Sequence, residues 1–336
     1  MPDPLVTVAI PTLARDGTFL ECLSSLLQQT QRDFEVVIVD NSGKGLVRQS
    51  EAARLGAMVI EMDHNVGFGA AVNAAFRRSR APFLATLNDD AVARPDWLRA
   101  LLSVMEKQTD VGMCASQVLL SGERRLDSAG MLMCRDGSSK QRGHLRSPEA
   151  FGVREEVLFP SASAALYRRA MLDQIGFFDE DFFLYCEDTD LGLRARWAGW
   201  KCVYVPEAAV EHRYSHSAGR ASPLKAYYVE RNRLFVAIKN FPPGMLARVP
   251  FFSGARYFWH IVSMLQGRGQ AAEFRREQSG LRLVWLVIRA HLAAAFHCRG
   301  LWRKRKEIRG TARITTPEFI RLVRAHEIGV REMAAF

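Results

Sequence analysis

The sequence FEVVIVDNSG at residues 34–43 decides the fold, because it joins a buried strand to a polar turn. Its apolar part is continuous and β-branched, which suits a parallel strand covered on both faces. A shorter apolar strand, Val6 to Ile10, precedes it, and residues 18–29 between the two carry apolar side chains at helical spacing. Strand, helix and strand in this order predict a βαβ unit. Ligands of such sheets bind beyond the carboxyl ends of the strands, where Asp40 lies.

Two more polar turns follow predicted strands further along the chain. Asn65 to Asn73, NVGFGAAVN, opens a helix of small residues on a glycine turn, and such a helix start suits contact with a phosphate or a ribose. Asn88, Asp89 and Asp90 follow the predicted strand Phe83 to Leu87. Carboxylates at a strand end that leave room for phosphate oxygens suit Mg²⁺ or Mn²⁺. Each turn taken alone is also ordinary turn chemistry, so neither is decisive.

A third polar segment, FFLYCEDTDLGLRARWAGW at residues 182–200, carries acids at Glu187, Asp188 and Asp190. The residues that follow predict a helix ended by Gly199, so the acids lie at a helix N-terminus, where the dipole favours negative charge. A charged helix cap explains most such clusters. The acids already found upstream favour a catalytic site instead.

The middle of the chain gives weaker signals. Residues 121–158 are polar and basic and predict a long loop or hairpin over the site, because loops of this length are usually functional. Gln49 to Leu55 predicts a helix, and Cys202 to Val205 predicts a strand closed by Pro206. His212 follows on the same side as the acids, although a lone histidine is more often a packed or surface residue.

The positive charge of the chain is concentrated near its C-terminal end. Of the net charge of +10, residues 241–336 contribute 17 Lys and Arg against 6 Asp and Glu, whereas residues 1–240 carry 29 against 30. Met245 to Leu265 and Leu281 to Phe296 are apolar but interrupted by arginines, so neither reaches the roughly 18 uncharged residues of a membrane span. They predict amphipathic helices, either packed on the catalytic domain or bound to an anionic membrane surface.

The cysteines and the first residues bear on compartment and cofactor class. The chain has six cysteines and no CxxC pair, which excludes a zinc ribbon or a thioredoxin motif. MPDPLVTVAI enters a strand without a basic start, so no signal peptide is predicted and a reducing cytosol is the expected compartment.

Taken in order, the motifs resemble the glycosyltransferase family 2 enzymes, which are inverting transferases of GT-A fold, and above all their rhamnosyltransferase-like branch. The matching segments are VTVAIPT with FEVVIVDNSG, NVGFGAAVN, LNDDA and GFFDEDFFLYCEDTDLGLRARWAGWKCVYVP. The likeness covers about Val6 to Lys239. It implies an α/β, Rossmann-like GT-A domain at residues 1–240, with a mixed, mostly parallel sheet flanked by helices. Residues 241–336 would form a basic helical extension.

The resemblance also implies roles for matching residues. Asp188 would be the general base, Asp90 would bind Mg²⁺ or Mn²⁺ together with His212, and Asp40 would accept a hydrogen bond from a pyrimidine base. One departure matters, because Asn88 stands where the metal motif of the family has its first aspartate. The other predicted donor contacts are Pro11, Thr12, Asn65, Gly67, Asn73, Asn88 and Asp89. The predicted acceptor-side residues are Glu187, Asp190 and Trp197.

The implied activity moves a sugar, with rhamnose as the leading candidate, from a dTDP- or UDP-sugar to a saccharide or polyprenyl-linked acceptor. The expected setting is cell-surface polysaccharide assembly, with the enzyme peripheral on the cytoplasmic face of the membrane. A nucleotidyltransferase is one alternative, but residues 11–17 lack the glycine-rich basic loop that a triphosphate requires. A basic nucleic-acid-binding protein is another, but the basic residues lie beside Trp, Phe and Leu, so no nucleic acid is expected. A non-catalytic family member is the third.

Overall fold

The computed structural model describes residues 3–50, 56–213, 222–266 and 280–335. The chain forms two compact units, and each of them draws on several separate segments. The first unit consists of Met1–Met131, Gln141–Leu184 and Gly199–Tyr214. The second unit consists of Leu132–Lys140, Tyr185–Ala198 and Ser215–Phe336. The predicted boundary at residue 240, between the GT-A domain and the helical extension, stays a prediction.

The strands and helices of the described residues follow the predicted alternation through the first 105 residues. The strands are β1 (Val6–Thr12), β2 (Phe34–Asp40), β3 (Met58–Glu61), β4 (Phe83–Leu87), β5 (Ala91–Ala93), β6 (Val111–Leu120), β7 (Leu126–Ser128), β8 (Met131–Met133), β9 (Ser139–Gln141), β10 (Glu155–Glu156), β11 (Ala164–Arg168) and β12 (Lys201–His212). The helices are α1 (Thr18–Leu27), α2 (Phe68–Arg78), α3 (Trp97–Met105), α4 (Arg169–Ile175), α5 (Glu187–Trp197), α6 (Pro223–Asn240), α7 (Pro243–Leu246), α8 (Val249–Leu265), α9 (Gly280–Phe296), α10 (Cys298–Gly310), α11 (Thr316–Ala325) and α12 (Val330–Ala335).

The sheet of the first unit runs in the order β10-β12-β6-β11-β4-β1-β2-β3, and its strands pair in parallel within β4-β1-β2-β3 and between β6 and β12. β11 is antiparallel to both β4 and β6, which makes the sheet mixed. The register pairs Thr12 with Asp40, so β1 and β2 end at one level. Parallel strands bring their carboxyl ends to one edge, and Asn88 follows β4 at that edge. The predicted α/β class with a mixed sheet flanked by helices is confirmed.

Burial of the central strands and of α3 forms the core of the first unit. β1 and β4 are almost entirely buried, as their unbroken apolar sequences require. On α3, Trp97 is fully buried, and its indole nitrogen donates a hydrogen bond of 2.8 Å to the Ser116 hydroxyl. That bond gives the buried indole N–H the hydrogen-bond partner that it would otherwise lack.

Two predicted segments differ from the structure. The strand expected to close at Pro206 continues to His212, because the proline lies where the register of β12 and β6 shifts between Val205 and Ala209. Proline is tolerated at such bulges, since no ladder hydrogen bond is required of it. Residues 121–158, predicted as a long loop or hairpin, contain β7 to β10 and the short helix Pro148–Phe151, and β8 and β9 pair with each other. The helix predicted from Gln49 to Leu55 falls mostly outside the described residues.

The second unit is helical, and α5 is enclosed by helices from the C-terminal segment. Trp197 of α5 stacks on Phe319 of α11 with ring centroids 3.9 Å apart. The Arg313 N–H donates to the Trp197 carbonyl at 2.8 Å. In the part of the chain that the structure describes, no single helix is long and apolar enough to cross a membrane; α9 and α10 together reach that length and composition but are bent by 63°.

Candidate active site

Asp40, the last residue of β2, is buried and caps the turn that follows it. Its Oδ1 accepts hydrogen bonds from the Ser42 N–H at 3.0 Å and the Ser42 hydroxyl at 2.5 Å, and its Oδ2 accepts one from the Val47 N–H at 2.8 Å. These donors fix the carboxylate at the sheet edge. Carboxylate oxygens have further acceptor capacity, so a contact with a nucleotide base is compatible with this geometry and stays a prediction.

Asn41 connects the end of β2 to the glycine turn. Its amide nitrogen donates to Asn65 Oδ1 at 3.0 Å and to the Gly67 carbonyl at 3.2 Å, and its oxygen accepts from the Val66 N–H at 2.9 Å. Asn65 Oδ1 also accepts from the Gly67 N–H at 3.0 Å. The two predicted donor-binding turns are therefore held together by one amide side chain.

Gly67 begins α2 in a conformation that only glycine adopts here. Its φ is +87°, and a Cβ atom at this position would lie 2.1 Å from the Phe183 carbonyl oxygen. That oxygen accepts a hydrogen bond from the Phe68 N–H at 2.8 Å. Phe183 itself has φ 63° and ψ −58°, and the Leu184 N–H bonds the Phe182 carbonyl at 2.7 Å, which is a strained γ-turn. Such strain is typical of functional sites.

Three other predicted donor contacts lie in ordered positions. Asn73 is buried, donates to the Phe178 carbonyl at 2.8 Å and to Glu180 Oε1 at 3.0 Å, and accepts from the Phe178 N–H at 3.0 Å. Pro11 and Thr12 form the end of β1. Asn73 thus secures the segment before the γ-turn, while donor contact remains a prediction for all three residues.

The structure brings Asp90 and His212 together at the carboxyl edge of the sheet. Nε2 of His212 lies 3.1 Å from Asp90 Oδ1 and 3.2 Å from the Asn88 amide nitrogen. Nδ1 of the same ring lies 2.9 Å from Asp127 Oδ2. His212, Asp90 and Asp127 are all buried. The histidine ring is therefore held between two carboxylates, one on each nitrogen.

Burial and these contacts shift three pKa values. Burial disfavours a charged His212, but hydrogen bonds to Asp127 and Asp90 outweigh it and raise its pKa to about 10. Burial works against an ionised Asp127 as well, but hydrogen bonds from two histidines hold its pKa at about 2. Burial raises the pKa of Asp89 to about 6, against a hydrogen bond from Thr12 and with a further increase from the charge of Asp90. Negative charge is thus crowded at this edge.

These residues fit a divalent cation that is only partly held by protein. Within the described ranges no three His, Cys, Asp or Glu side chains form a metal cage. One carboxylate, Asp90, and one imidazole, His212, meet there, with Asp89 adjacent, and a cation bound at Nε2 would take the place of the proton between Nε2 and Asp90. Mg²⁺ and similar ions are commonly bound by one or two protein ligands plus substrate phosphates and water. The donor set therefore fits Mg²⁺ or Mn²⁺ bound together with a diphosphate.

In the second unit, α5 begins with Glu187 and Asp188, two of the three acids that the sequence singled out. Asp188 is half-buried, and its Oδ1 accepts from the Thr189 N–H at 2.7 Å. Glu187 is buried, and its Oε2 has no hydrogen-bond partner among the described residues. Burial, together with the charge of Asp188, raises the pKa of Glu187 to about 8. Glu187 therefore holds a proton at neutral pH beside Asp188.

The entry to α5 is strained and held from α6. Tyr185 and Cys186 both have positive φ, 70° and 66°. The buried Asn232 donates to the Tyr185 carbonyl at 2.7 Å, and the Arg231 Nε donates to Asn232 Oδ1 at 2.8 Å. This conformation costs energy in residues other than glycine, so α6 stabilises a defined direction for the first turn of α5.

Asp190 and Trp197, both predicted on the acceptor side, are buried within the second unit. Asp190 is bound by Arg194 at 2.9 Å, Lys239 at 2.7 Å and Asn240 at 2.9 Å. Trp197 lies between Phe319 and the Arg309 guanidinium, which is 3.6 Å from the ring centroid. Both side chains have structural partners, and acceptor contact remains a prediction for them.

Three ordered residues of these sites were missed by the sequence reasoning. Asn41 lies within the quoted DNSG turn, and its amide side chain could have been recognised from the sequence as a hydrogen-bonding group of the site. Asp127 and His144 come from the segment predicted as a loop, and no spacing connects them with His212. Only the pairing of β7 and β12 with β6 brings Asp127 to the ring.

The fold and the polar edge of its sheet define a transferase of the GT-A kind. The family model described as Glycosyl transferase family 2 matches residues 7–176, about half of the chain. The chain belongs to glycosyltransferase family 2, and it is a glycosyltransferase, as the motifs predicted. The nucleotidyltransferase and nucleic-acid-binding alternatives are thereby set aside.

Relatives and solved structures agree with this membership. N-acetylglucosaminyl-diphospho-decaprenol L-rhamnosyltransferase of Mycobacterium tuberculosis is 32% identical over 262 residues, covering 68% of this chain and 82% of the relative. A Pyrobaculum calidifontis mannosyltransferase in complex with GDP-Man and Mn²⁺ is similar in fold, with a TM-score of 0.54, 19% identity and coverage of 90% and 89%. S. aureus TarS 1–349 in complex with UDP has a TM-score of 0.51, 17% identity and coverage of 94% and 91%. The predicted rhamnosyltransferase-like branch is supported by the first relative.

Proposed function

We propose that the protein transfers rhamnose from a pyrimidine nucleotide-sugar, dTDP-rhamnose foremost, to a lipid-linked saccharide with inversion at the anomeric carbon. The observation that carries the proposal is the 32% identity to an L-rhamnosyltransferase whose name gives a diphospho-decaprenol acceptor. The rigid edge formed by Asp40, Asn41 and Asn65 supports a donor site, because it offers fixed polar atoms beyond parallel strands.

Asp90 and His212 would hold the divalent ion, Mg²⁺ or Mn²⁺, with the donor diphosphate completing its ligands. When bound, that ion supplies positive charge against the diphosphate leaving group. Asn88 carries an amide instead of a carboxylate, so it has no anionic oxygen to offer a cation. Its amide nitrogen lies 3.2 Å from His212 Nε2, so it orients the histidine ring rather than replacing the missing aspartate. Substitution of Asp90 by alanine should remove the metal dependence of donor binding.

Asp188 would act as the general base that takes the proton of the acceptor hydroxyl as it attacks. Its Oδ1 is oriented by the Thr189 N–H, and it lies beside Glu187, whose pKa is raised by burial. A single base with direct displacement inverts the anomeric centre, and no carboxylate nucleophile is required.

The experiment that tests the proposal is a calorimetric donor panel of dTDP-rhamnose, UDP-sugars and GDP-mannose, each with and without Mn²⁺. Tightest, metal-dependent binding of dTDP-rhamnose, followed by transfer to a polyprenyl-diphospho-N-acetylglucosamine, is the expected result. Binding of another nucleotide-sugar would overturn the choice of sugar, and binding of none would favour a non-catalytic member.

The second unit would also dock on an anionic membrane surface, where a lipid-linked acceptor resides. On α8, Phe251 is 74% exposed, and on α9, Leu281 and Phe296 are 84% and 87% exposed. Further exposed apolar side chains on these two helices are Phe258, Ile261, Leu265, Val284, Trp285, Ile288 and Leu292. Arg282 and Arg289 are exposed on α9 as well. Apolar faces beside basic residues are typical of helices that lie in the headgroup zone.

Flotation with vesicles that contain phosphatidylglycerol tests this docking. The pair of substitutions Leu281→Asp and Phe296→Asp should abolish flotation, whereas Val153→Asp, at a 72% exposed position of the first unit, should leave it unchanged. Equal flotation of the wild type, the double variant and Val153→Asp would overturn the proposal. Wild-type binding to uncharged vesicles that equals its binding to the phosphatidylglycerol vesicles would overturn it as well.

A further inference from the structure

Asp127 has no role in the predictions from sequence, yet it makes the second contact of the His212 ring. It lies in β7, is buried, and its Oδ2 is 2.9 Å from Nδ1 of His212. We propose that Asp127 is the positioning residue of the metal site, which fixes the His212 ring and keeps the Nδ1 proton so that Nε2 points toward Asp90. The proposal rests on the metal-binding role proposed for His212.

Strand pairing places the two residues on the two strands that lie on either side of β6. β6 pairs with β12 in parallel and with β7 in antiparallel, and Val118 and Leu119 take part in both pairings. β7 and β12 therefore flank β6, and the backbone fixes the positions of Asp127 and His212. β7 and β12 are therefore not neighbours in the sheet, and the contact between Asp127 and His212 spans the intervening strand β6.

Asp127 is itself held on its other side. Its Oδ1 lies 3.4 Å from Nδ1 of His144, and the same nitrogen lies 3.1 Å from the Asp127 backbone carbonyl. The His144 side chain is 8% exposed. The chain of contacts His144, Asp127, His212 and Asp90 thus runs from a buried histidine to the carboxylate at the sheet edge.

The orientation of the ring follows from its two occupied nitrogens. With Nδ1 directed at Asp127, Nε2 on the opposite side of the ring meets Asp90 at 3.1 Å. Metal-binding histidines commonly donate their other N–H to a carboxylate, which fixes the ring and the tautomer, and loss of that partner weakens metal affinity by about 10- to 100-fold. The Asp127 contact has this form.

The test measures Mn²⁺ affinity in the presence of dTDP by electron paramagnetic resonance. Asp127→Ala should weaken Mn²⁺ binding about 10- to 100-fold, and Asp127→Asn, which keeps the shape of the side chain, should weaken it less. Asp110→Asn, which removes an exposed partner of Lys201, is the control and should change nothing. Nitrogen NMR of His212 should show that its hydrogen-bonded Nδ1 proton is lost in Asp127→Ala and retained in the control.

A double substitution separates positioning through His212 from a general effect on folding. In the His212→Ala background, Asp127→Ala should cause no further loss of Mn²⁺ affinity, because the ring through which it acts is gone. Additive losses, or a normal affinity of Asp127→Ala while His212→Ala binds weakly, would overturn the inference and leave the proposed function standing. An unchanged affinity of His212→Ala would instead reject the proposed metal site itself.

Discussion

Two neighbouring carboxyl groups at the start of α5 differ because their surroundings differ. Glu187 is buried, and its Oε2 has no hydrogen-bond partner in the part of the chain that the structure describes, whereas Asp188 is half-buried and accepts from the Thr189 N–H. Asp188→Asn keeps the shape of the side chain but cannot take a proton, so transfer should fall about 10²- to 10⁴-fold. Donor affinity measured by calorimetry should stay within about twofold of the wild type, since the loss concerns only proton transfer.

Asp173→Asn, at an exposed position on α4, is the matched control and should leave both quantities unchanged. A loss of donor affinity as large as the loss of rate would reject the assignment of Asp188 as the base.

Glu187 makes a separate prediction about stability and pH. Its pKa is raised to about 8 in the folded protein, so the folded state holds a proton that the unfolded chain releases near its ordinary pKa of 4.5. That contribution is present at low pH and is lost as the pH rises toward 8. Glu187→Gln stays neutral, so its stability relative to the wild type should increase from pH 5 to pH 8. Urea unfolding at both pH values measures this, and a constant difference would contradict the shift.

The glycine turn at the start of α2 is the most constrained connection between elements of the first unit. Gly67→Ala places a methyl group 2.1 Å from the rigid Phe183 carbonyl and keeps a positive φ, so it should destabilise the protein by about 2 kcal/mol or more. Gly17→Ala meets nothing within 4 Å and serves as the control. Thermal unfolding compares the two, and equal stabilities would mean that the turn adapts.

A buried ionic cluster connects elements of the second unit. Arg256 of α8 contacts Asp136 and, at 2.7 Å, Glu230 of α6, while Arg233 contacts the same acids. Burial acts to raise the pKa of Glu230, but the two arginines outweigh it and hold that pKa well below its ordinary value. The resulting stability is present above pH 4.5 and is lost as the pH falls.

Arg256→Met leaves Glu230 and Asp136 buried with one fewer cation, which should cost about 3–5 kcal/mol of unfolding free energy at pH 7. Toward pH 4 the gap to the wild type should narrow, because the two acids that lack Arg256 in the variant take up protons there and are no longer buried as unbalanced charges. Arg303→Met, at a position whose side chain is 74% exposed, is the control. Urea titrations at pH 7 and pH 4 give both free energies, and a gap independent of pH would count against the cluster.

For the molecule as a whole, local sequence was sufficient where strands end in polar turns. The alternation of β1 to α3 and the placement of Asp40, Asn88 and Asp90 at one edge follow from apolar runs and parallel pairing. The approach of His212 to Asp90 was also predicted. Residues 121–158 were not, because β7 and β9 are each three residues long and depend on pairing with distant strands. Trp197 and Phe319 are 122 positions apart in the sequence, and the spacing of apolar residues does not predict a contact between such distant positions.

The stacking of Trp197 on Phe319 also bears on which segments of this chain can be exchanged together. α5 belongs to the second unit together with the C-terminal helices, and it lies beyond residue 176, where the family match ends. Recombination that exchanged residues 241–336 alone would remove Phe319 and Arg309, which enclose Trp197. A viable chimaera should therefore exchange α5 jointly with the C-terminal helices, and drift in one should be compensated in the other.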